Sequence, residues 1–125
     1  VIVGSGVDLC EVQRIKDAIE RHGVRFTQRV FTEREIAYAD RKANRYERYA
    51  ARFAAKEAAM KAIGTGWHGG VRWRDFEVVN LPSGRPTLQF HGKAAEYLEK
   101  LGATSTSLSI THTTVQAMAI VILEK

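Results

Sequence analysis

From Thr32 to Ile63 the chain contains neither glycine nor proline, and then meets the glycine-rich stretch GTGWHGG, Gly64 to Gly70. Alanine, glutamate and arginine dominate the run, so it predicts one short helix followed by a longer one that the glycines end. The part RFAAKEAAMKAI, Arg52 to Ile63, has mostly small side chains. A helix turns about 100° per residue, which places Ala55, Ala58, Ala59 and Ala62 on one flank where another backbone can come close. Arg52 and Lys56 project together from one edge. Glu57 and Lys61 share a second edge, an i to i+4 pair of the kind that stabilises any helix. If the helix continues backwards, Arg41, Arg45 and Arg48 join Arg52 and Lys56 in one basic stripe. Like charges at that spacing repel unless an anion such as a ligand phosphate lies across them; a solvated basic face is the competing reading.

The rest of the chain supplies strands and shorter helices. Val1 to Leu9 predicts a strand, with Asp8 at its exit as a possible helix cap, and Glu11 to about Arg21 a helix closed by Gly23. VRWRDFEVVN and TLQFH, joined by the turn LPSGRP, predict a hairpin. Lys93 to Leu101 predicts a further helix. Two strand-like runs then flank a turn at about His112 to Thr114, and the second, Val115 to Leu123, is apolar on both faces. Such a strand needs cover on both sides, from the chain's own helices or from another copy of the chain. The expected architecture is α+β, an antiparallel sheet packed with helices, and residues 1–125 make one domain of ordinary size.

A net charge of +5 favours anionic partners such as nucleic acid, phosphorylated ligands or an acidic protein. Cys10 is the only cysteine, which excludes an intrachain disulfide and a multi-cysteine zinc site and fits a reducing, cytoplasmic setting. It is read as a small buried hydrophobe. No run has the length of a membrane span, and the opening VIVGSGVDL lacks the features of a signal peptide, so neither a membrane nor secretion is expected. His22, His68 and His91 show no metal spacing. Trp67 and Trp73 are expected in the core or an interface, with adenine stacking as the alternative.

Three separated segments carry more specific information. They are GVDLCEVQRI from Gly6 to Ile15, RFAAKEAAMKAIGTG from Arg52 to Gly66, and SITHT from Ser109 to Thr113. Together, in this order and with the Gly84-Arg85-Pro86 turn, they resemble the holo-acyl-carrier-protein synthases, the small type of 4′-phosphopantetheinyl transferase. The resemblance covers nearly the whole chain. It implies transfer of the phosphopantetheine arm of coenzyme A to a serine of an acidic acyl carrier protein in fatty acid biosynthesis, with Mg²⁺ as cofactor and adenosine 3′,5′-bisphosphate released. It also implies a homotrimer with active sites between subunits.

By that resemblance Asp8 and Glu57 are the metal ligands, and Lys61 neutralises or protonates the leaving phosphate. Two acids suit Mg²⁺, which fills its remaining positions with water and phosphate oxygens. The acceptor for the serine proton stays open between Glu57 and a metal-bound water directed by Asp8 or Glu57. Coenzyme A would contact Arg52, Lys56, Lys61, Gly64, Thr65, Gly66, Gly84, Arg85, Pro86, Ser109, Thr111 and His112, with Arg45 or Arg48 as possible extensions. The carrier protein would meet Arg14, Arg21 and Arg25 on and after the first helix. The rival reading is a small basic nucleic-acid-binding module that uses the arginine stripe without catalysis.

Overall fold

The computed structural model describes all residues, Val1–Lys125. Its elements are β1 (Ile2–Glu11), α1 (Val12–His22), α2 (Val24–Val30), α3 (Glu33–Asp40), α4 (Arg45–Ile63), β2 (Phe76–Asn80), β3 (Pro86–Phe90), α5 (Gly92–Lys100), β4 (Ser105–His112) and β5 (Gln116–Glu124). The α+β architecture expected from the sequence is present. Two antiparallel sheets form, a three-stranded one in the order β1-β5-β4 and the hairpin β2-β3.

Helix α4 is the centre of the molecule. Thirteen of its residues are buried, on every side of the helix, because β1 and β5 pack on one side and α1, α3 and β2 on others. Its alanines make that depth possible. Gly4 and Gly6 of β1 lie so close that a methyl group on them would overlap the carbonyl oxygens of Ala62 and Ala58. A strand backbone therefore rests directly on a helix backbone, and glycine is required at both positions. Gly64, at φ 83°, ends α4 in the left-handed conformation.

Several boundaries differ from expectation. The first strand continues past Leu9, with Cys10 opposite Ala117 and Glu11 opposite Gln116. Asp8 is thus in mid-strand opposite Ala119 rather than at the exit, and it caps no helix; Glu11 precedes α1 without a side-chain cap. Helix α2 was not anticipated. It has only seven residues and no side-chain cap, and it is held by burial of Thr27 and Val30. Thr32 and Glu35 form a reciprocal capping box that starts α3. Arg41 closes α3 and α4 begins only at Arg45, so the long basic stripe is interrupted. In the hairpin, Trp73–Asp75 forms a 3₁₀ turn rather than strand, because Asp75 accepts from the backbone and guanidinium of Arg72.

Strand β5 receives cover on one face only. Ala117, Ala119, Val121 and Leu123 are buried beneath α4, whereas Met118 and Ile120 are 43% and 40% exposed. Their partners across β1, Leu9 and Val7, are 57% and 52% exposed. The outer face of the sheet is an open apolar surface.

Candidate active site

The pleat of β1 decides where Asp8 points. Gly4, Gly6, Asp8 and Cys10 share the face that meets α4, so the residue after the two glycines in that series arrives beside the helix edge that bears Glu57 and Lys61. The Lys61 ammonium donates to Asp8 Oδ1 at 3.1 Å and to the Val7 carbonyl at 3.0 Å. Glu57, one turn earlier on the same helix edge, lies close enough to Asp8 for the two carboxyl groups to act on each other. Burial first, and then the neighbouring Asp8 carboxylate, push the Glu57 carboxyl up to about 6, although Arg14 and Lys61 pull the other way. Two neighbouring carboxylates of this kind are groups that a small cation can join. No third carboxylate, histidine or cysteine completes a metal cage, which suits a cation that takes one or two protein carboxylates and draws its other ligands from water and phosphate.

Arg14, from α1, sets its guanidinium 5.3 Å from the centre of the Phe53 ring on α4, close enough to the acidic pair to act on Glu57. Arg14 and Arg21 line one hollow with Asp17, Ala18 and His22, and Arg25 lines the adjoining one with His22, Phe26 and Arg29. The three predicted carrier-binding arginines thus line two hollows that share His22, and Arg14 is the one that acts on the acidic pair.

The other charged edge of α4 requires a correction. Lys56 is 0% exposed, and its ammonium is spent on Glu35 Oε1 at 2.8 Å and on the carbonyls of Trp73 and Phe76. Arg52 is 5% exposed, with its guanidinium 3.9 Å from the centre of the Tyr38 ring. This pair does not face a phosphate: α3 and β2 cover the edge. Lys56 is instead the centre of a buried polar network that sequence reasoning missed. Glu35 also accepts from the Val78 amide, and Glu77 accepts from Thr32, Arg34 and His91. Burial pushes the Glu77 carboxyl up, but these hydrogen bonds outweigh it and hold it near about 2. The only available signal was the T-x-x-E spacing of Thr32 and Glu35.

Of the remaining stripe, Arg45 pairs with Asp40, and Arg48 bonds Asn44 and the Tyr38 hydroxyl. The continuous arginine stripe on which the nucleic-acid-binding reading rested is therefore absent. The Gly64, Thr65 and Gly66 amides all turn back onto the Met60 carbonyl at 3.1–3.3 Å, so what this segment leaves open is space rather than free amides. Cys10 is buried, and desolvation raises its thiol to about 11. Trp73 stacks on Phe53 and meets Trp67 edge-on.

The nucleotide candidates fall into separate groups. Arg85, Pro86 and Ser109 line a hollow with Ile120 and Ile122 on the open sheet face, and Gly84 lies in the adjoining turn. Thr111 shares that face with Ser109 by strand alternation, opposite Met118. His112 points to the other face, where its Nδ1 lies 3.0 Å from Glu47 Oε1 at the start of α4. Ten residues of helix, about 15 Å, separate Glu47 from Glu57. One protomer therefore assembles the acidic pair with Lys61, but not these residues around it.

Comparison of the sequence and fold with known proteins points to one family. The sequence model of the 4′-phosphopantetheinyl transferase superfamily matches residues 4–116. A holo-[acyl-carrier-protein] synthase of Solibacter usitatus is 65% identical over 124 residues, covering 99% of each chain. The crystal structure of the synthase from Neisseria meningitidis has a TM-score of 0.90 at 31% identity and covers 100% of both chains. That of the Helicobacter pylori synthase in complex with coenzyme A has a TM-score of 0.84 at 26% identity and covers 96% of this chain and 99% of that one.

Proposed function

The chain belongs to the 4′-phosphopantetheinyl transferase superfamily, and we propose that the residues gathered at Asp8, Glu57 and Lys61 carry out its reaction. It transfers the 4′-phosphopantetheine group of coenzyme A to a serine of apo acyl carrier protein, and adenosine 3′,5′-bisphosphate leaves. The observation that carries the residue assignment is the ion pair of Asp8 with Lys61, one turn along α4 from Glu57.

The serine oxygen attacks the β-phosphorus of coenzyme A as the bond from that phosphorus to the bridging oxygen breaks. Negative charge then builds on the departing phosphate, and catalysis consists mainly of positioning and electrostatic relief. Asp8 and Glu57 would hold Mg²⁺, which when bound supplies positive charge to the diphosphate. Lys61 provides a second, fixed positive charge and a proton donor for the leaving oxygen. The serine proton passes to Glu57 or to a water directed by Asp8 or Glu57. Arg14 lies where the basic surface of α1 meets the acidic pair, so an acidic carrier protein docked along Arg14, Arg21 and Arg25 would bring its serine to the reacting phosphorus.

The working form is a homotrimer. Two features support this: the open apolar sheet face, and the placement of Arg85, Ser109 and Thr111 on that face, away from the acidic pair of their own protomer. A second copy seated on the sheet would bring its own acidic pair to these nucleotide-facing residues. The whole of residues 1–125 then acts as one transferase domain, in the cytoplasm and in fatty acid biosynthesis.

The test is to incubate the protein with coenzyme A, Mg²⁺ and an apo acyl carrier protein and to weigh the carrier by mass spectrometry. The carrier is expected to gain one phosphopantetheine, and Asp8→Asn or Glu57→Gln to slow the gain about a hundredfold or more. An unmodified carrier with the unaltered protein rejects the activity; full activity in either variant rejects the residue assignment alone.

A further inference from the structure

Glu47 lies in the first turn of α4 among arginines, yet it pairs with none of them. Arg45 reaches back to Asp40, and Arg48 is held by Asn44 and Tyr38. The Glu47 carboxylate turns instead to His112 at the end of β4, with Oε1 3.0 Å from Nδ1. An ionised carboxylate only accepts hydrogen bonds, so the ring nitrogen facing it must carry the hydrogen. Nε2 has no partner in the chain. Both side chains are partly buried, which limits the ring's freedom to flip.

We propose that Glu47 is a positioning residue: by accepting from Nδ1 it fixes the tautomer and direction of the His112 ring, so that Nε2 is the nitrogen offered to coenzyme A. The inference rests on the reading of His112 as a nucleotide-facing residue. A carboxylate behind an imidazole commonly sets which nitrogen is presented and how readily the ring takes a positive charge. Glu47 lies about 15 Å along the helix from Glu57, so it acts on binding of coenzyme A and leaves the transfer step alone.

The tautomer is read directly by long-range ¹⁵N–¹H correlation spectra of the unaltered protein and Glu47→Gln, recorded across a range of pH, with His112→Ala to assign the signal. The hydrogen is expected on Nδ1 in the unaltered protein, and a mixture of tautomers in Glu47→Gln. In parallel, Glu47→Gln should raise the KM for coenzyme A about five- to tenfold with kcat little changed, the effect of losing one hydrogen bond. In a His112→Ala background the same substitution should change neither constant. An Nδ1 that carries no hydrogen in the unaltered protein overturns the proposal, as does a KM effect of Glu47→Gln that persists without His112. If His112→Ala leaves the KM for coenzyme A unchanged, the reading of His112 fails and takes the proposal with it, even where the spectra show the expected tautomer.

Discussion

The carboxyl of Glu57 connects stability to function at a single residue. Its folded value of about 6 lies above the ordinary 4.5, so between those values the folded protein holds a proton that the unfolded chain has released. Stability of the cation-free protein must then fall as pH rises through this interval, and the deficit persists above it. Solvent reaches this partly buried carboxyl, which limits the deficit to about 1 kcal/mol. Glu57→Gln keeps a hydrogen-bond donor for Asp8 without the second charge. In the presence of a chelator the variant should melt above the unaltered protein at about pH 8, with the gap closing by about pH 4.5. Thermal melts across that range check this. A variant that melts lower at the alkaline end would show that the acidic pair is not under strain.

At the scale of elements, the site depends on the contact of β1 with α4. Because Gly6 lies against the Ala58 carbonyl, an added methyl must push the helix off the strand, and Asp8 then loses Glu57 and Lys61. Gly6→Ala should cost about 2–3 kcal/mol or more in denaturant unfolding and abolish transfer in whatever folded protein remains. An active and stable variant would mean that close packing does not set the distance between the two acids. Much of this was legible beforehand. Alanine propensity marked α4 locally, and the small flank at Ala58 and Ala62 announced a close neighbour. The depth of the helix was not legible. Angular spacing shows which residues point together, but whether Lys56 points to water or into the core depends on where α3 and β2 pack, which are long-range contacts. Asp8 illustrates the same limit, since its strand is extended by pairing with β5 more than a hundred residues later. Helix α2 escaped notice because it has neither the length nor the polar cap that marks a helix in sequence.

At the scale of the whole molecule, the exposed face built from Val7, Leu9, Met118 and Ile120 is the feature a lone protomer leaves unsatisfied. We propose that this apolar sheet surface is the contact between copies of the chain. Ile120→Glu would place a charge in its middle without touching the core beneath α4. In analytical ultracentrifugation the unaltered protein should sediment as a trimer and the variant as a monomer with impaired transfer; a variant that stays trimeric would put the interface elsewhere. The acidic pair that such an assembly would serve can also be examined without any turnover. Titration of Mg²⁺ into the protein loaded with coenzyme A, followed by calorimetry, should show one cation bound per protomer and little or no binding after Asp8→Asn or Glu57→Gln. Undiminished binding in both variants would contradict the central claim that these two carboxylates, brought together by a strand resting on a helix, hold the catalytic cation.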